Sequence, residues 1–91
     1  MGERLTPQRL GRSRRYRVLR EFGEGDARAL PGDLLTCIDS HFVAHEGAWQ
    51  WQFRSSRAAA GLVVLFEASD ADVKVLAELS AYLEELGPVA P

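Results

Sequence analysis

Trp49-Gln50-Trp51-Gln52-Phe53-Arg54 alternates aromatic and polar side chains without a break. On a strand, successive side chains point to opposite faces, so the three aromatics share one face and the two glutamines and the arginine share the other. On a helix the same residues would be scattered around the circumference. The segment therefore predicts a half-buried antiparallel strand over residues 48–54, with an aromatic face that needs a cover and a polar face that does not. Whatever fold the chain adopts must supply that cover.

The neighbouring segments supply strands first and a helix last. Ala44-His45-Glu46-Gly47 is a compact turn signal, and Leu34–Val43 before it reads as a strand, so residues 34–54 form a hairpin. The parity of Leu34–Val43 is mixed: Leu34, Ile38 and Phe42 oppose Leu35, Cys37 and Val43, which predicts partial cover on both faces. Upstream, residues 15–22 place Tyr16, Val18 and Phe22 on one face, and Pro31-Gly32 marks a turn in the loop that follows. Downstream, residues 55–61 form a connection, and Leu62–Phe66 is a continuous apolar run suited to a central strand. Ser69 or Asp70 then caps a helix, and Val73, Leu76, Leu79, Leu83 and Leu86 recur at helical spacing until Gly87-Pro88 stops it. Val75 and Tyr82 widen the stripe.

The order implies a small α+β domain. It is an antiparallel sheet or partial SH3-like barrel of about four strands, with one C-terminal helix laying its leucine stripe on the sheet. Ninety-one residues hold one core, and a core of that size is modest. The domain organisation expected is a basic flexible arm at residues 1–14, the α+β domain at 15–87, and a short tail at 88–91. A single cysteine, Cys37, offers no internal disulfide and fits a reducing compartment. No apolar run approaches a membrane span and no apolar stretch follows the basic N-terminus, so a cytoplasmic protein without a membrane partner is expected.

These positions also carry a resemblance. Tyr16-Arg17-Val18 leading to Phe22, the Pro31-Gly32 turn, Phe42 closing a strand, Glu46-Gly47 at a hairpin tip and Tyr82-Leu83 late in the final helix resemble a family of short bacterial domains of unknown function. The resemblance covers residues 12–86. The chain departs from it after the Pro-Gly turn, where Leu34-Leu35-Thr36 replaces the usual aromatic. It implies the same small α+β fold and brings no activity with it.

Charge is divided sharply along the chain. Arg4, Arg9, Arg12, Arg14, Arg15, Arg17 and Arg20 face only Glu3 within the first 20 residues, a net +6, whereas residues 21–91 carry −8. Arginines on an arm can neutralise phosphates, so Arg9, Arg12, Arg14, Arg15 and Arg17 are candidate nucleic-acid contacts. The same charges could instead fold back onto the acidic body or meet a neighbouring copy. The acidic body, with Asp33, Asp39, Glu46, Glu67, Asp70 and Asp72, is a candidate surface for a basic protein partner.

Other chemistry is sparse. Cys37, His41 and His45 have helical metal-ligand spacing but fall on a strand and its turn, where Cys37 and His41 share a face and His45 sits at the tip. No metal or cofactor is assigned to them. Nothing supplies an oxyanion hole beside Cys37, no phosphate-binding loop or dinucleotide fingerprint is present, and no catalytic residue is assigned. The aromatic face of residues 49–53 could stack bases, although such a face more often makes a core. The expected function is a non-enzymatic protein-interaction or regulatory module, of which an immunity or inhibitor protein is one kind. It would act on a protein partner or through self-association. The alternative is a nucleic-acid-binding accessory protein that uses the arginine arm.

Overall fold

The structure is a computed structural model and describes residues 5–57 and 62–88. Arg4, residues 58–61 of the expected connection and residues 89–91 of the expected tail lie outside the described residues.

Five antiparallel strands form one sheet: β1 (Arg14–Val18), β2 (Leu34–Val43), β3 (Ala48–Ser55), β4 (Leu62–Phe66) and β5 (Leu83–Pro88), in the order β4-β3-β2-β1-β5. Helices α1 (Asp70–Ala77) and α2 (Leu79–Tyr82) connect β4 to β5. The α+β class and the antiparallel sheet match the sequence reading, and β2, β3 and β4 span the residues that alternation and apolar runs put in strands. β4, however, lies at the edge of the sheet rather than at its centre, its apolar residues Val63 and Leu65 buried by the helices that follow it. The strand count is five rather than four.

The extra strand comes from the end of the expected helix. The helix begins at Asp70 after Ser69, but Glu78 leaves helical geometry at φ −126° and ψ 44°, and after the single turn of α2 the chain extends into β5 at Leu83. Leu83 pairs with Val18, and Glu84 and Glu85 pair with Arg17 and Tyr16. Without β5, β1 would be an open edge with unpaired backbone groups. Pairing satisfies that edge and still buries Leu83, so the tertiary context overrides a local sequence that suits a helix. The stripe is redistributed accordingly. Val75, Leu76 and Leu79 are buried, while Val73 is 47% exposed.

The core lies on one face of the sheet. Tyr16 and Val18 of β1, Leu35 and Cys37 of β2, Trp51 and Phe53 of β3, and Val63 and Leu65 of β4 meet Val75, Leu76 and Leu79 from the helices. Phe22 and Ala29 close the β1–β2 loop with an isolated bridge and join the same cluster, Phe22 meeting Tyr82 edge-on at 6.0 Å. Tyr16 likewise meets Phe53 edge-on, at 6.0 Å.

The mixed parity of β2 has a local cause. The register runs Cys37 opposite Phe53, then Asp39 opposite Gln52 and Ser40 opposite Trp51, so one extra residue bulges between Cys37 and Asp39. A bulge switches the faces of all later residues. Leu35 and Cys37 therefore face the core before it, and Ser40 and Phe42 stand on that same side after it. The core face is covered through this shift of register, and the other face is partly covered, with Thr36, Asp39 and Val43 half-buried and Ala48, opposite Val43, buried.

Residues 5–13, most of the expected arm, are packed on the body. A short 3-10 turn at Pro7–Arg9 delivers Leu10 to the core, where it is 4% exposed, and Leu5 packs at the edge of the cluster. The Tyr16 hydroxyl donates to the Arg9 carbonyl at 2.9 Å and accepts from the Gly11 N–H at 3.3 Å, and the Leu5 N–H donates to Ser80 Oγ at 2.7 Å. The apolar Leu5 and Leu10 drive the docking, and the buried tyrosine fixes its register.

Candidate functional site

The strand that most constrains the fold also carries the exposed aromatic surface. Trp49, Trp51 and Phe53 share the core face of β3, but only Trp51 and Phe53 are buried; Trp49 is 44% exposed. The bulge in β2 brings Phe42 directly opposite Trp49, and Phe42 is 51% exposed. Their rings meet at 5.7 Å with an angle of 67°. Both sit at the hairpin end of the sheet. Two large aromatics left side by side at a sheet end are the feature most in need of explanation, because isolated exposed apolar residues are ordinary and contiguous ones are not.

Beside the pair lies a cleft of about 300 Å³. Trp49, Trp51 and Ser40 form its sheet wall, Pro7, Gln8 and Leu10 form the opposing wall, and Glu67 stands at its edge. The N-terminal 3-10 turn is thus what makes a notch out of an otherwise flat sheet end. Glu67 follows β4 and clasps Trp49 from both sides: its backbone N–H donates to the Trp49 carbonyl at 3.0 Å, and its Oε1 accepts from the Trp49 N–H at 2.7 Å. The carboxylate therefore holds the tryptophan's backbone while remaining exposed.

The basic candidates divide. Arg9 and Arg14 meet Glu85 at 3.1 and 3.4 Å, and Arg17 meets Glu84 at 3.1 Å, so β5 presents its two carboxylates to the basic segment beside it. Arg12 and Arg15 are exposed, and among the described residues no carboxylate is in ion-pair contact with either. Arg20 lies over the Tyr82 ring, 5.4 Å from its centroid.

The acidic candidates are spread over the molecule, and most have local partners. Asp33 accepts from the Leu30 N–H at 3.0 Å and from Arg57 Nε at 3.1 Å, while a second Arg57 nitrogen donates to the Arg28 carbonyl. Asp72 accepts from the Phe66 N–H at 3.0 Å, and burial pushes its carboxyl above the usual aspartate range despite that hydrogen bond. Asp39 holds His41 Nδ1 at 2.8 Å, Glu46 lies at the hairpin tip, and Asp70 opens α1. Of the six, only Glu67 borders the notch.

Cys37, His41 and His45 do not converge. The bulge puts Cys37 and His41 on opposite faces of β2, correcting the expectation that they share one, and His45 is exposed at the tip. Cys37 is buried against Phe53, and burial raises its thiol pKa; its Sγ donates to the Asp39 carbonyl at 3.6 Å. Among the described residues no group of three histidines, cysteines or carboxylates is placed to hold a metal ion. Among the same residues no helix is long and apolar enough to cross a membrane.

Sequence reasoning placed Trp49 with the core and missed Phe42 and the cleft. The parity break in Leu34–Val43 was the available signal, because one extra residue there is what carries Phe42 to the aromatic side.

No family model matches the chain, and no curated protein matches it by sequence. Among solved structures it is similar to an integron cassette protein from the mobile metagenome of Vibrio cholerae. The identity is 18%, 87% of this chain and 88% of that chain are covered, and the TM-score is 0.62. At that identity the likeness is one of fold.

Proposed function

We propose that this chain is a non-enzymatic protein-interaction module that engages its partner through the notch at the end of the β2–β3 hairpin. The observation that carries the reading is the exposed Phe42–Trp49 pair beside a preformed cleft. Aromatic anchors set next to a small pocket are what interaction surfaces use to concentrate binding energy. The cleft's volume lies at the bottom of the range for small-molecule sites, roughly 300–1,000 Å³, which favours a side chain of a partner over a whole metabolite. An immunity or inhibitor protein is one form such a module takes, and the acidic charge of residues 21–91 suits a basic partner. A cytoplasmic setting agrees with the lone buried thiol.

Nucleic acid remains the second reading, carried by exposed Arg12 and Arg15. It is weaker because Arg9, Arg14 and Arg17 already have carboxylates that phosphate would have to displace.

Two measurements separate the readings. Co-purification of tagged wild type and of a Phe42→Ser/Trp49→Ser variant from the native host should yield a stoichiometric protein with the first and not the second. A partner retained equally by both would sink the notch reading. Anisotropy of labelled DNA and RNA at about 50 and 200 mM salt should show no binding; salt-sensitive binding lost in Arg12→Gln/Arg15→Gln would favour the second reading.

A further inference from the structure

We infer that the notch is built to take a cationic side chain, specifically an arginine presented by the partner protein. This deepens the interaction reading above and rests on it. The chemistry lies in the lining. Trp49 supplies an exposed aromatic ring, Trp51 a second aromatic wall, and Glu67 a carboxylate at the edge. The other lining groups, Pro7, Gln8, Leu10 and Ser40, are uncharged, and among the described residues no arginine, lysine or histidine pairs with Glu67. One oxygen of that carboxylate is held by the Trp49 N–H at 2.7 Å, which fixes the group beside the ring and leaves Oε2 to accept from a ligand. An aromatic face attracts a cation through its quadrupole, and a fixed carboxylate adds a charge-assisted hydrogen bond. Arginine satisfies both at once: its planar guanidinium stacks on the ring while its edge N–H groups donate to the carboxylate. The acidic balance of residues 21–91 would steer such a side chain toward the body.

The test uses the full chain and two probes, N-acetyl-arginine methylamide and its neutral isostere N-acetyl-citrulline methylamide. Each is titrated to tens of millimolar while the Trp49 indole N–H and the Glu67 amide are followed by NMR. The arginine probe should shift both signals saturably, and the citrulline probe should bind about tenfold more weakly. Glu67→Gln keeps an oxygen for the Trp49 N–H, so the fold should hold while the difference between the probes disappears. Equal binding of the two probes overturns the cation assignment and leaves an uncharged notch. A preference for the arginine probe that persists in Glu67→Gln overturns it as well, as does silence of both signals in the wild-type chain; the notch reading is then judged by the co-purification alone. Sedimentation velocity completes the set. A dimer that blocks the arginine probe and dissolves in Glu67→Gln would put a second copy's arginine in the cleft and overturn the assignment to a separate partner.

Discussion

Tyr16 is fully buried, yet its hydroxyl is satisfied from the N-terminal segment alone, by the Arg9 carbonyl and the Gly11 N–H. Tyr16→Phe keeps the ring against Phe53 and removes both hydrogen bonds, leaving two backbone groups to find water. It should cost about 1–2 kcal/mol in urea denaturation and loosen hydrogen exchange over residues 9–11 first. Asp72 is a residue-scale case with a pH signature. Its folded pKa is raised, with burial the main cause, the Phe66 N–H opposing it and Glu24 adding to it. A carboxyl raised on folding favours the folded state below its unfolded pKa, and that contribution is lost as pH rises through the folded pKa. At neutral pH the Asp72 charge is therefore a burden. Asp72→Asn keeps an acceptor for the Phe66 N–H, so its denaturation midpoint should gain on wild type at pH 7. The gain should vanish near pH 3; an equal difference at both pH values would contradict this account.

At the scale of elements, the β1–β2 loop and the α2–β5 junction decide the fold. Gly23 and Gly32 both hold positive φ, +90° and +93°, in that loop. A Cβ on Gly23 would come within 2.9 Å of the Ala27 carbonyl oxygen, whereas one on Gly32 would meet nothing within 4 Å. Gly32→Ala should cost about 1 kcal/mol from backbone strain alone. Gly23→Ala should cost clearly more, because a backbone atom must also move; equal midpoints for the two variants would contradict the geometry. At the junction, Leu83 leaves the helix to enter β5, and its side chain reaches the core from a strand. Leu83→Ala should lose about 2–5 kcal/mol, as for other fully buried leucines, and should expose the β1 edge to exchange.

For the molecule as a whole, the divided charge is an internal arrangement in part. Glu84 and Glu85 take three of the N-terminal arginines, and Leu5 and Leu10 dock the segment that carries them. Removing residues 1–13 would uncover Tyr16 and one wall of the notch. The truncated chain should lose about 3 kcal/mol or more, and its tryptophan emission should shift to the red as Trp51 gains water. Unchanged stability and emission would mean that the segment is not held in solution as it is in the structure. Any binding assay on the truncated chain thus mixes loss of charge with loss of structure, which is why glutamine replacements at Arg12 and Arg15 are the cleaner probe of nucleic acid.

Local chemistry was enough to determine the α+β class, the limits of β2 and β4, the start of α1 at Asp70 and the burial of Trp51 and Phe53. Strand alternation, apolar runs and capping residues act within a few neighbours, so they are legible in the chain itself. Three things were not. The end of the helix depended on an edge of β1 that exists only once the sheet has formed, since Leu79, Tyr82, Leu83 and Leu86 keep helical spacing and locally favour continuing the helix past Tyr82. The bulge beside Ile38 depended on pairing with β3; the chain shows only its trace, a break in parity. The notch depended on both, and on Leu10 docking across the sheet from a segment whose dense arginines made it look like a free arm. Each turns on a contact between residues far apart in sequence, and no local pattern encodes which distant surface will be there to meet it.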